Sequence, residues 1–100
     1  MKKVIGKVTT YHGTEHGFLT GYKVRIVAVM RNSIKPGIED DDPDYDYIRD
    51  DDYLQSTGGV TVFDRLDVQP WLEKEGRFSF VTSDARAQDL TCFKHLAKGQ

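Results

Sequence analysis

Tyr22-Lys23-Val24-Arg25-Ile26-Val27-Ala28-Val29-Met30-Arg31 is the stretch on which the fold turns. Side chains alternate along a strand with period two, so Tyr22, Val24, Ile26, Ala28 and Met30 fall on one face. Lys23, Arg25 and Arg31 fall on the other, with Val27 and Val29 between them. One apolar face backed by a second, partly apolar one places this strand inside a sheet rather than at its edge.

Working outward, residues 3–11 are rich in β-branched types and predict a first strand. His12-Gly13-Thr14-Glu15-His16-Gly17 lies between the two, and its glycines mark a hairpin turn. Pro36-Gly37 suits a type II turn and ends the unit. Val60-Thr61-Val62-Phe63 predicts a third strand and residues 77–82 a fourth, with Phe78 and Phe80 sharing a face. Between them, Gln69 to Gly76 reads as a short helical turn opened by Pro70. From Ser83 onward the pattern predicts a helix, with Ser83 as N-cap and Leu90, Phe93 and Ala97 in one stripe. The expected fold is α+β: one domain over residues 1–100, a small, mostly antiparallel sheet of about four strands, and a C-terminal helix packed on one face. An acidic loop or short helix at 39–57 is inserted after the N-terminal hairpin, with the loop preferred because clustered aspartates repel within a helix.

That insert dominates the charge layout. Residues 39–52 carry nine acids (Glu39, Asp40, Asp41, Asp42, Asp44, Asp46, Asp50, Asp51, Asp52) against Arg49, a charge of −8. The remaining 13 bases and 7 acids leave the body at +6, so the net −2 conceals a basic body with an acidic segment. The single cysteine, Cys92, excludes an intrachain disulfide and a thiolate-rich zinc site. The longest apolar run, residues 26–30, is far short of the about 20 residues of a membrane helix. Gly6-Lys7 interrupts the apolar start after Lys3, so no signal-peptide core is expected. The expected setting is the reduced cytoplasm, away from membranes.

Four groups of residues invite chemistry. His12-Gly-Thr-Glu15-His16 matches the letters of a zinc-peptidase motif, but that motif needs both histidines on one helical face, and a glycine-flanked turn does not supply it. His12, Glu15 and His16 are therefore weak metal candidates in an ordinary polar turn. Counting a calcium loop from Asp40 puts Tyr45 where glycine is required and Asp51 where a bidentate glutamate is required, so no recognised calcium loop is present. Cys92 and His95 stand three apart on the expected helix, with no oxyanion partner to make a nucleophilic pair. The basic face of the second strand, with Lys2, Lys3, Lys7 and Arg77, has the charge for phosphate contact, but Phe63, Trp71, Phe78 and Phe80 read as core rather than as a stacking platform. Nucleic acid is accordingly the less expected partner.

No catalytic residue and no cofactor is assigned. The expected function is a non-enzymatic binding or interaction module that contacts a basic protein, or a second copy of itself in a homodimer, through Asp40, Asp41, Asp42, Asp44, Tyr45, Asp46 and Tyr47. Tyrosines anchor interfaces and clustered acids speed association with basic partners. The alternative is a ligand-binding or enzymatic domain with a pocket between sheet and helix.

Overall fold

A strand that is apolar on one face and half-apolar on the other needs a neighbour along each edge, and the computed structural model, which describes residues 3–32 and 45–98, gives it three. The strands are β1 (Val8–Thr10), β2 (Lys23–Asn32), β3 (Tyr45–Ile48), β4 (Arg65–Leu72), β5 (Arg77–Phe78) and β6 (Ser83–Arg86). The short helix α1 (Asp51–Ser56) lies between β3 and β4. All pairings are antiparallel. β2 pairs with β4 along one edge; along the other it takes β1 at Lys23–Arg25 and β3 at Val29–Asn32. β4 in turn takes β6 at Arg65–Val68 and β5 at Trp71–Leu72 on its outer edge. Two long central strands are thus each flanked by two short strands laid end to end.

The segments that follow β1 and β6 then meet across the sheet. Leu90 bridges Tyr11, the His12 N–H donates to the Asp89 carbonyl at 2.7 Å, and the Cys92 N–H donates to Thr9 Oγ1 at 3.2 Å. This closure satisfies backbone groups that an open edge would leave unpaired. Inside lie Tyr11, Leu19, Val24, Ile26, Val29, Ile48, Leu54, Leu66, Val68, Ala85, Ala87 and Leu90.

A bulge sets which β2 side chains enter that core. Ile26 pairs with Val68 but Ala28 pairs with Asp67, so Val27 is an extra residue. The alternation therefore changes parity: Val24 and Ile26 face the core before the bulge and Val29 faces it afterwards. Ala28 and Met30, expected on the core face, are buried outside that cluster. Tyr22, expected with them, is half exposed.

The expected C-terminal helix on a four-stranded sheet is corrected. Ser83, expected as its N-cap, begins β6, where Ala85 pairs with Leu66 and Arg86 with Arg65. Single 3-10 turns at Ala87–Asp89 and Thr91–Phe93 follow, with only one α-helical turn at His95–Lys98. Ala85 and Ala87 are buried at period two, and pairing with the edge of β4 overrides the helix preference of alanine.

The third and fourth strands also move. Residues 60–63 form a turn around Asp64, whose carboxylate accepts from the Thr61 N–H at 2.9 Å. The strand lies instead at Arg65–Leu72, with Leu66, Val68 and Pro70 buried alternately. Pro70 is tolerated there because its carbonyl accepts from the Ser79 N–H at 2.8 Å, which puts the missing N–H of proline on the edge where β6 gives way to β5. The expected fourth strand shortens to Arg77–Phe78, leaving Phe80 and Val81 exposed. Tyr47 and Ile48, weighed as part of a short helix, lie in β3; α1 begins later, capped by Asp50 on the Asp52 N–H.

Asp64, 3% exposed, receives Arg31 Nε and Nη2 at 3.3 and 3.2 Å. Arg31 also reaches Thr57 Oγ1 and the Gly59 carbonyl, so one guanidinium ties β2, the end of α1 and the start of β4 together. Replacing Asp64 with Ala strips the partly buried Arg31 of its partner and a turn of its cap, and is expected to cost about 2–4 kcal/mol. A urea titration checks this; an unchanged midpoint would contradict the role given to the pair.

Candidate functional site

The β2–β4 register builds one outward sheet face. Arg25 pairs with Gln69, so Lys23, two residues before, and Trp71, two residues after, stand on the same side. Trp71 pairs in turn with Phe78 on β5. Two cations on it lie over rings: Lys23 Nζ is 5.5 Å from the Trp71 ring and the Arg25 guanidinium 4.7 Å from Phe78; at the end of β5 the Arg77 guanidinium is 4.5 Å from Phe80. Trp71 and Phe78 meet edge to face at 5.0 Å. Two open grooves, about 420 and 410 Å³, run past Tyr22 and Trp71. The indole is fixed by its N–H donating to Glu73 Oε2 at 3.0 Å.

Among the described residues four arginines are bound by carboxylates. Arg31 is bound by Asp64, Arg65 by Glu15 and Asp84, Arg86 by Asp89, and Arg77 by Glu75. Arg25 donates Nε and Nη2 to the neutral Gln69 Oε1 at 3.1 and 2.7 Å, which orients its plane over Phe78 without neutralising it. Among the described residues neither Arg25 nor Lys23 has a carboxylate partner. Phe80 is 82% exposed, and Trp71 and Phe78 are partly so. Of the aromatics expected in the core, then, none is buried; Phe63 is exposed as well, in the turn before β4. The alternation Arg-Leu-Asp-Val-Gln-Pro-Trp-Leu at 65–72 carried the signal for this face, and Pro70 masked it.

The residues singled out from sequence disperse. Asp40, Asp41, Asp42 and Asp44 lie outside the described residues, as does the side chain of Tyr45. Asp46 and Tyr47 are exposed on β3, with Arg49 over the Tyr47 ring at 5.7 Å. Two acids of the segment are structural: Asp50 caps α1, and Asp51 Oδ1 accepts from the Val4 and Ile5 N–H groups at 2.7 and 3.1 Å.

His12, Glu15 and His16 do not form a metal centre. Glu15 accepts from Arg65 Nη2 at 2.6 Å, and His16 Nε2 lies 2.6 Å from the Asp84 carbonyl oxygen. Among the described residues no three His, Cys, Asp or Glu side chains are grouped to hold an ion. Arg65 is partly buried, which opposes its charge, but its bonds to Glu15 and Asp84 outweigh that and raise its pKa. This cluster clamps the 12–17 turn onto β4 and β6.

Cys92 and His95 sit beside a cleft of about 270 Å³ with Lys3, Lys7 and Phe93. His95 is exposed and its ring neighbours Phe93 at 6.4 Å. Burial pushes the Cys92 thiol up, against weaker lowering by Thr9 and Lys7. A thiol held protonated is a poor nucleophile.

Among the described residues no helix is long and apolar enough to cross a membrane. Compared with protein-family models, curated proteins and solved structures, the chain matches none.

Because the pKa of Cys92 is raised, its alkylation by iodoacetamide at pH 8 is expected to be several-fold slower in the folded chain than in urea. Its rate should keep rising above the pH at which a free thiol levels off. Faster reaction in the folded chain would show an activated thiolate instead.

Proposed function

We propose that the chain is a non-enzymatic binding module whose working surface is the cation–aromatic face of β2, β4 and β5. The observation that carries this is the pairing of Lys23 with Trp71 and Arg25 with Phe78 with no carboxylate among the described residues to neutralise either cation. Exposed rings beside unneutralised cations suit a ligand that is anionic and carries flat groups. Tyr22, at the mouth of both grooves, extends the surface.

A second reading keeps the acidic segment as a contact for a basic protein or a second copy of the chain. The half-exposed Tyr47, beside Asp46 on an edge strand, favours it. The alternative of a pocket between sheet and C-terminal helix loses its second wall, because β6 and short turns replace that helix.

Amide chemical shifts of the labelled chain, followed during titration with an oligothymidylate, with polyphosphate and with an acidic tyrosine-containing peptide, separate these readings. Perturbations from at least one probe are expected at Tyr22, Lys23, Arg25, Trp71, Phe78 and Phe80. A face untouched by every probe would remove the proposal; shifts confined to Asp46, Tyr47 and α1 with a basic peptide would favour the second reading.

A further inference from the structure

We infer that the ligand of this face is single-stranded nucleic acid, which deepens the binding-module proposal and rests on it. A single strand repeats one anionic phosphate and one flat base per nucleotide. The face repeats one cation and one ring, Lys23 with Trp71 and Arg25 with Phe78, and beside it the exposed Phe80 ring lies under Arg77, which Glu75 binds. Bases stack on aromatic rings and on the plane of an arginine, and phosphates take the N–H groups left over. Arg25 is set for both roles. Its Nε and Nη2 are engaged by Gln69, so the plane is fixed, while Nη1 meets no protein acceptor among the described residues.

The rings also specify an unpaired strand. Bases inside a duplex are stacked on each other and present no face to Trp71 or Phe80, so a duplex would meet the cations alone. A purely charged polymer would do the same. Two cation–ring pairs with the exposed Phe80 ring beside them correspond to a short site of a few nucleotides.

The acidic segment does not forbid this ligand. The chain leaves β2 at Asn32 and returns at Tyr45, whereas Lys23 is at the opposite end of β2. Nine residue steps along a strand span about 30 Å. Exposed charges are screened beyond about 8 Å at physiological salt, so phosphates at Lys23 and Arg25 feel little of Asp46, which stands opposite Arg31.

Trp71 is the only tryptophan, so the site reports on itself. The full chain is titrated with dT12, with a 12-base-pair duplex, with polyphosphate and with a peptide of the sequence of residues 38–48, and tryptophan fluorescence is read. Saturable quenching by dT12 is expected, with duplex and polyphosphate at least tenfold weaker. Two phosphates neutralised on a single strand predict an affinity loss of about 25-fold for a tenfold rise in salt. Phe80→Ala removes one exposed stacking ring and is expected to weaken dT12 by on the order of tenfold or more. Phe63→Ala removes an equally exposed ring at the far end of β4 and should leave the affinity unchanged. Circular dichroism melts of both variants show that each is folded. Equal quenching by polyphosphate or duplex, or equal effects of the two phenylalanine variants, would overturn the inference. Binding of the peptide without dT12 would also overturn it, and would leave the face itself as a binding surface. Silence of Trp71 toward every probe would remove the face along with the inference.

Discussion

The antiparallel pairing of β2 with β4 is the constraint on which the rest of the molecule depends. It aligns Val24 with Pro70, Ile26 with Val68 and Val29 with Leu66, and those side chains form the middle of the core. The same register aligns Arg25 with Gln69 and brings Lys23 to Trp71 on the opposite side. Core and outward face are two sides of one alignment, and because the side-chain period is two, a slip of one residue would exchange them. The bulge at Val27 belongs to this device. Without it Ala28 and Met30 would point inward and Val29 outward, and the far half of β2 would present the wrong side to Leu66.

Charge is distributed by the same logic. At the Asn32 end of β2 two arginines are consumed by structure: Arg31 closes onto Asp64, and Arg65 holds Glu15 and Asp84. At the Lys23 end the cations lie on rings. A cation over an aromatic face keeps its charge available while its stem and the ring shield each other from water. Asp46 of β3 stands opposite Arg31 at the Asn32 end.

How much of this was legible in the sequence follows from where local signals agree with tertiary demands. The central position of β2 was legible because both faces of residues 22–31 are apolar enough to demand neighbours. The bulge was not, since Val27 and Val29 are equally apolar and nothing local says which one faces inward. β4 was hidden by Pro70, which argues against a central strand unless the ladder breaks beside it, and the break between β6 and β5 is a long-range fact. β6 was hidden by Ala85 and Ala87, whose helix preference is overruled by the unpaired edge of β4. The candidate face suffered from the same two errors. Trp71 assigned to a helical turn, and Phe78 and Phe80 assigned to the core, cannot be assembled with Lys23 and Arg25. The acidic segment drew attention because its composition is extreme, yet of its described members Asp50 and Asp51 bond backbone N–H groups.

The central claim is that the β2–β4 register creates a working surface at the Lys23–Trp71 end. Photocrosslinking tests it at the level of single residues. An oligothymidylate bearing 5-iodouracil, irradiated in complex with the full chain and digested, identifies by mass spectrometry the side chains that touch its bases. Adducts at Tyr22, Trp71, Phe78 and Phe80 are the predicted result. Adducts at Tyr47, Tyr53 and Phe63 with none at Trp71 or Phe78 would contradict the account.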